Sequence, residues 1–114
     1  MGYEEDIEKG KSTTSQSTLP TISLQETIKR GEYDPDILGG FPEWHAVSRH
    51  TQFQYIREAI QNRERQLVIQ WAEINNVLNF SEKPHLQEAL RNIEEQKRKL
   101  QEDKEHLYLE YSKP

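Results

Sequence analysis

Metal binding is the first chemistry that the sequence suggests, because the chain has four histidines and twenty acidic residues. Glu82 and His85 stand at the Glu-x-x-His spacing with which di-iron helical bundles bind their metal ions. In such bundles the pair projects inward from mid-helix, whereas Glu82 lies at the start of a predicted helix, where its charge complements the helix dipole. We therefore predict no metal site and no cofactor. A metal-binding helical-bundle enzyme is our third functional hypothesis.

Nucleophilic catalysis finds little support in the sequence. The chain has no cysteine, and its serines cluster near the N-terminus, where nothing would hold them beside a general base. Gly39 and Gly40 lack the Gly-Lys-Ser/Thr that completes a phosphate-binding loop. We therefore predict that the protein is not an enzyme.

Nucleic-acid binding rests on three arginines, Arg57, Arg63 and Arg65, which could contact phosphates from one predicted helix. Glu58 and Glu64 accompany them, and the net charge of the chain is −5. A sequence-independent grip on phosphates needs a larger basic patch. We therefore rank a small DNA-associated regulatory protein second.

Composition divides the chain into three regions. Residues 1–20 combine an acidic cluster with a Ser- and Thr-rich tract, which predicts a disordered tail. Residues 21–50 should hold a short helix and an irregular arm, and residues 51–114 a helical hairpin. In the second region Ser23 and Glu26 have capping-box spacing, and they predict a helix that ends at Gly31.

The arm that follows this short helix contains prolines, a Gly-Gly pair and four large apolar groups. These groups need a surface to cover, either the open side of the hairpin or another chain. Trp44 could be packed inside the chain or inserted into a partner, a role in which Trp is over-represented. We assign the four residues to partner binding: Ile37, Leu38, Phe41 and Trp44.

Apolar residues in two long segments, 51–79 and 84–111, recur at steps of three and four and lie equally far from the break between the segments. This mirror relation predicts an antiparallel, coiled-coil-like helical hairpin. Ser81 is the predicted N-cap of the second helix, and Pro84 fits its first turn. The facing pairs are Leu78 with Leu86, Ile74 with Leu90, Trp71 with Ile93, Leu67 with Lys97, Glu64 with Leu100, Ile60 with Lys104, Ile56 with Leu107 and Phe53 with Tyr111.

Charged residues interrupt this apolar stripe near its middle. Glu64 on the first helix lies between Lys97 and Lys104 on the second, so we predict a partly buried Glu64–Lys97 or Glu64–Lys104 contact. The lysines could simply extend their ammonium groups to the edge of the hairpin. Alternatively, the three residues form a polar layer that determines register or oligomeric state.

A two-helix hairpin leaves further apolar groups, such as Tyr55 and Val77, in need of cover. Either residues 22–47 fold back as a third layer, or two hairpins associate into a four-helix bundle, and we favour the homodimer. The sequence thus predicts an all-α, non-enzymatic protein–protein interaction module that acts as a scaffold or adaptor. An antitoxin-like protein that wraps its partner is a special case of this prediction. With no apolar run long enough to span a membrane, we expect it to be cytoplasmic.

Overall fold

The structure is a computed structural model that describes residues 22–113, and these fold into helices without any strand. The all-α prediction is confirmed for this part of the chain, while the predicted tail, residues 1–20, lies outside it. No helix among the described residues has the length and apolar character needed to cross a membrane. In chain order the helices are α1 (Leu24–Lys29), α2 (Pro35–Leu38), α3 (Pro42–His45), α4 (Arg49–Asn75) and α5 (Pro84–Tyr111), with a 3₁₀ turn at Phe80–Glu82 before α5.

The two long helices pack against each other as the mirror relation predicts. Helix α4 has 27 residues and α5 has 28, so each is about 40 Å long. Glu64 contacts Lys104 across the pair, and Phe53 contacts Tyr108 near its open end. The buried apolar residues of the helix pair are Ile56, Ala59, Ile60 and Leu67 on α4 and Ile93 and Leu100 on α5.

The turn between α4 and α5 departs from the prediction at two points: α4 ends at Asn75, before the predicted end of the first segment at residue 79, and the N-cap of α5 is a different residue. Asn79 adopts a left-handed conformation with φ of 59°, and the 3₁₀ turn follows it directly. Pro84 is the first residue of α5, as predicted, and a proline restricts the residue before it to extended backbone. Lys83 is therefore the N-cap residue, without a side-chain capping bond. The prediction of Ser81 as N-cap is wrong because Ser81 lies two residues too early.

Helix α1 begins and ends where the sequence predicts. The Ser23 hydroxyl oxygen accepts a hydrogen bond from the Glu26 backbone N–H at 3.0 Å. Gly31 follows the helix with a φ of +85°, in the left-handed region that favours glycine. A Cβ at this position would also lie 3.1 Å from the Arg63 main chain. Gly31 therefore both ends α1 and allows the chain to approach α4 closely.

Residues 22–47 fold back as a third layer, which is the first of the two alternatives raised by the sequence. Four of their apolar side chains are buried in one core with those of α4 and α5: Leu24, Ile28, Leu38 and Trp44. The carbonyl groups of this layer are held by polar side chains of α4, which donate hydrogen bonds of 2.8–3.3 Å. The donor and acceptor pairs are Gln52 with Trp44, Asn62 with Ile28, Arg63 with Gly31 and Gln66 with Arg30.

The third layer covers one end of the hairpin. We call residues 49–67 and 98–111, against which the layer packs, the braced half, and residues 68–97 the distal half. The predicted core stripe extends into the distal half, where Trp71 is 36% exposed and Leu78 is 81% exposed. Their prediction as core residues is wrong because no segment of residues 22–47 packs over this end of the helix pair.

Two substitutions in the arm should differ in their effect on stability. Trp44 is buried against Tyr55 and Tyr111, so Trp44→Ala should lower the free energy of unfolding by about 3–5 kcal/mol. Ile37 is largely exposed, so Ile37→Ala should change it by less than about 0.5 kcal/mol. Urea unfolding followed by circular dichroism measures both, and equal small losses would contradict the third layer.

Candidate functional site

The structure separates the four arm residues that the sequence assigns to partner binding. Leu38 and Trp44 are buried in the chain's own core, and Phe41 is half-buried against it. Ile37 is exposed on α2. Leu38 and Trp44 therefore have no surface to offer a partner in the folded chain, and the arm acts mainly as a brace for the hairpin.

The three charged residues of the apolar stripe do not form one cluster. The Lys104 ammonium group donates a hydrogen bond to Glu64 at 3.0 Å, and this contact raises the pKa of Lys104 above its ordinary value. The predicted contact of Glu64 with one of the two lysines is thus made by Lys104. Lys97 makes no ion pair within residues 22–113 and lines a groove of about 260 Å³ beside Val68 and Leu100.

The three arginines do not converge on a common surface. Arg63 is half-buried and donates a hydrogen bond to the Gly31 carbonyl. Arg65 donates to Asn62, and Arg57 lies 5.9 Å from the centre of the Phe53 ring. Arg63 therefore holds the arm in place, while Arg57 and Arg65 are exposed on α4.

A cleft of about 500 Å³ lies where the segment after α1 crosses α4 and α5. Within it the Tyr33 hydroxyl donates a hydrogen bond of 2.7 Å to Asp103, which also pairs with Lys99 at 3.2 Å. Burial, together with the hydrogen bond to Asp103, raises the pKa of Tyr33 above its ordinary range. Tyr33 therefore stays protonated and links the arm to α5. Sequence reasoning missed this contact because the two residues are 70 positions apart and neither repeats in a pattern.

The residues considered for metal binding remain on the surface. Glu82 and His85 are both exposed, next to the turn of the hairpin. Within residues 22–113, no three His, Asp or Glu side chains come together in an arrangement that could hold a metal ion.

Large apolar side chains are exposed along the distal half, and most of them belong to α4. The outer side of α5 between Glu88 and Arg98 is polar by contrast, with exposed ion pairs between Glu88 and Arg91 and between Glu95 and Arg98. Exposed large apolar side chains that are concentrated in one half of a polar chain are candidates for an interaction site. We call these residues the distal surface: Val68, Ile69, Trp71, Val77 and Leu78.

Compared with known proteins, the chain matches no family model, no curated protein and no solved structure.

The Tyr33 hydrogen bond gives stability a predictable dependence on alkaline pH. The folded-state pKa of Tyr33 lies above the unfolded value of about 10. Its stabilisation is therefore complete below about pH 10 and is lost as the pH rises further, because the unfolded chain releases the proton first. Tyr33→Phe should cost about 1 kcal/mol at neutral pH and make the alkaline loss of stability shallower.

Urea unfolding of wild type and Tyr33→Phe between pH 7 and about pH 11 measures this difference. Tyr55→Phe is the matched control, since the Tyr55 hydroxyl makes no side-chain hydrogen bond within the described residues and Tyr55 also packs on the core. An alkaline profile of Tyr33→Phe that coincides with that of wild type would contradict the role of this contact.

Proposed function

We propose that the protein is a non-enzymatic protein–protein interaction module, a helical scaffold or adaptor that binds another protein through its distal surface. The observation that carries this proposal is the exposure of large apolar side chains where the hairpin lacks a third layer. Leu78 and Val68 are more than half exposed, and Trp71 is a residue type enriched in binding hot spots.

The distribution of polar groups supports a bounded interface. Ion pairs along α5 keep its outer side in water, and they would form the rim of an interface on the neighbouring side of the helix pair. The arm supports the same division of roles, because its buried residues belong to the core of the braced half while Val68, Ile69 and Leu78 of the distal half stay exposed. We therefore assign partner binding to the distal half and a stabilising role to the arm.

Site-specific photo-crosslinking in cells tests this proposal with a matched pair of positions. Ile69 on the distal surface and Ile37 on the arm are the same residue type at nearly equal exposure, 50% and 48%. A benzophenone side chain at position 69 should give discrete protein adducts, because that position lies in the interface, and one at position 37 should give few.

Adducts at position 37 without adducts at position 69 would move the binding surface to the arm. If neither position gave adducts, the proposal would fail. Circular dichroism of both variants, compared with wild type, serves as the control that the substitutions leave the helices intact.

A further inference from the structure

The partner of the distal surface can be specified from the charges and dimensions of one side of the hairpin. We propose that it is a second copy of this chain, which packs face to face and antiparallel about a two-fold axis through Val68. This inference rests on the proposed function and names the protein that covers Val68, the member of the distal surface that lines the groove on this side of the hairpin. In the resulting four-helix arrangement, α4 packs on α4 of the second copy and α5 packs on α5 of the second copy.

Among the described residues, the side of the hairpin away from the third layer, which we call the free side, has an open groove near its middle. Helix α1 and the residues after it are held by Asn62, Arg63 and Gln66, which point to the other side of α4. On the free side, Val68 and Lys97 line a common groove. No segment of residues 22–47 bonds to the side chains that line this groove, so a flat partner of similar length has access to it.

Val68 is suited to a position on the two-fold axis because its side chain is small, apolar and exposed. It is 58% exposed, and it shares its groove with Lys97 and Gln101 of α5. A residue on a two-fold axis meets its own counterpart, so a small apolar side chain is favoured there over a charged one. A pairing centred on this level places the two Val68 side chains in contact.

Two charged residues of α5 lie at the same height along the hairpin as Val68. Each can pair with the other's counterpart in a second copy of the chain. Glu94 and Lys97 lie one turn apart on α5, and neither makes an ion pair in the part of the chain that the structure describes. Their neighbours Glu95 and Arg98, on the outer side of the helix, pair with each other. Antiparallel packing of two α5 helices places Glu94 of each copy beside Lys97 of the other. Two reciprocal ion pairs result, which is the pattern that a two-fold interface requires.

The overlap of the two copies is large enough for a specific dimer. Centred on Val68 and on the Glu94–Lys97 turn, the copies overlap over about 20 Å of α4 and about 35 Å of α5. With helices about 10 Å wide, this corresponds to roughly 550 Å² per copy, or about 1,100 Å² in total. Specific interfaces generally exceed about 1,000 Å², so the dimer lies near the lower end of that range.

Charge reversal followed by sedimentation velocity tests the pairing on the full chain. Wild type should dimerise in a concentration-dependent manner. Glu94→Lys and Lys97→Glu should each raise the dissociation constant of the dimer at least about tenfold, because each places like charges together. An equimolar mixture of the two variants should form mixed dimers, since both ion pairs are then restored, one of them with reversed sign. The double variant, which carries both changes, should dimerise like wild type.

Arg91→Glu is the matched control: it reverses an exposed charge on the outer side of the same helix and should leave dimerisation unchanged. A wild type that stays monomeric at every concentration would overturn the second copy as partner. Adducts at position 69 with other proteins would in that case leave the proposed function standing. A dimer that tolerates both reversals, or single variants that fail to recover on mixing, would overturn the Glu94–Lys97 pairing.

Discussion

The docking of the C-terminal end of α1 onto α4 is the contact on which the rest of the structure depends. A helix of six residues has little stability of its own, and its last carbonyl groups lack partners within the helix. Side chains of α4 supply those partners, with Asn62 bonding Ile28 and Gln66 bonding Arg30. Gly31 makes the approach possible because a Cβ would meet the Arg63 main chain. The position of this junction determines where the arm runs next and which part of the hairpin it covers.

The two halves of the hairpin differ as a consequence. In the braced half, α1 and Trp44 complete a core with α4 and α5, and the Tyr33–Asp103 hydrogen bond ties the arm to the second long helix. In the distal half, two helices pack without a third layer, and Val68 and Ile69 on α4 and Leu78 in the turn after it are exposed. One half of the molecule thus provides most of the folding stability, and the other retains the apolar surface that we assign to binding.

Much of this architecture could be predicted from local patterns in the sequence. Ser23 and Gly31 indicate the ends of α1, and the mirrored apolar residues predict the helix pair and a contact of Glu64 with Lys97 or Lys104, of which the second forms. The pattern could not show which part of the stripe is covered, because Trp71 and Leu78 fit a helical period whether or not another segment packs on them. The arm posed the same difficulty: a buried and an exposed aromatic residue have the same sequence signal, so Trp44 could be read either way. Candidate residues that depend on tertiary contact, such as Tyr33, carry no local signal.

The central claim is that the hairpin is closed by its own arm at one end and by another protein molecule at the other. Amide hydrogen exchange of the full chain at a series of protein concentrations tests it most directly. Amides of the braced half outside the proposed overlap of the two copies, about residues 49–60 and 108–111, should be protected to the same extent at every concentration. Amides of the distal half, residues 68–97, should exchange faster in dilute solution and become protected as the concentration rises. Equal protection of both halves at all concentrations would contradict the account.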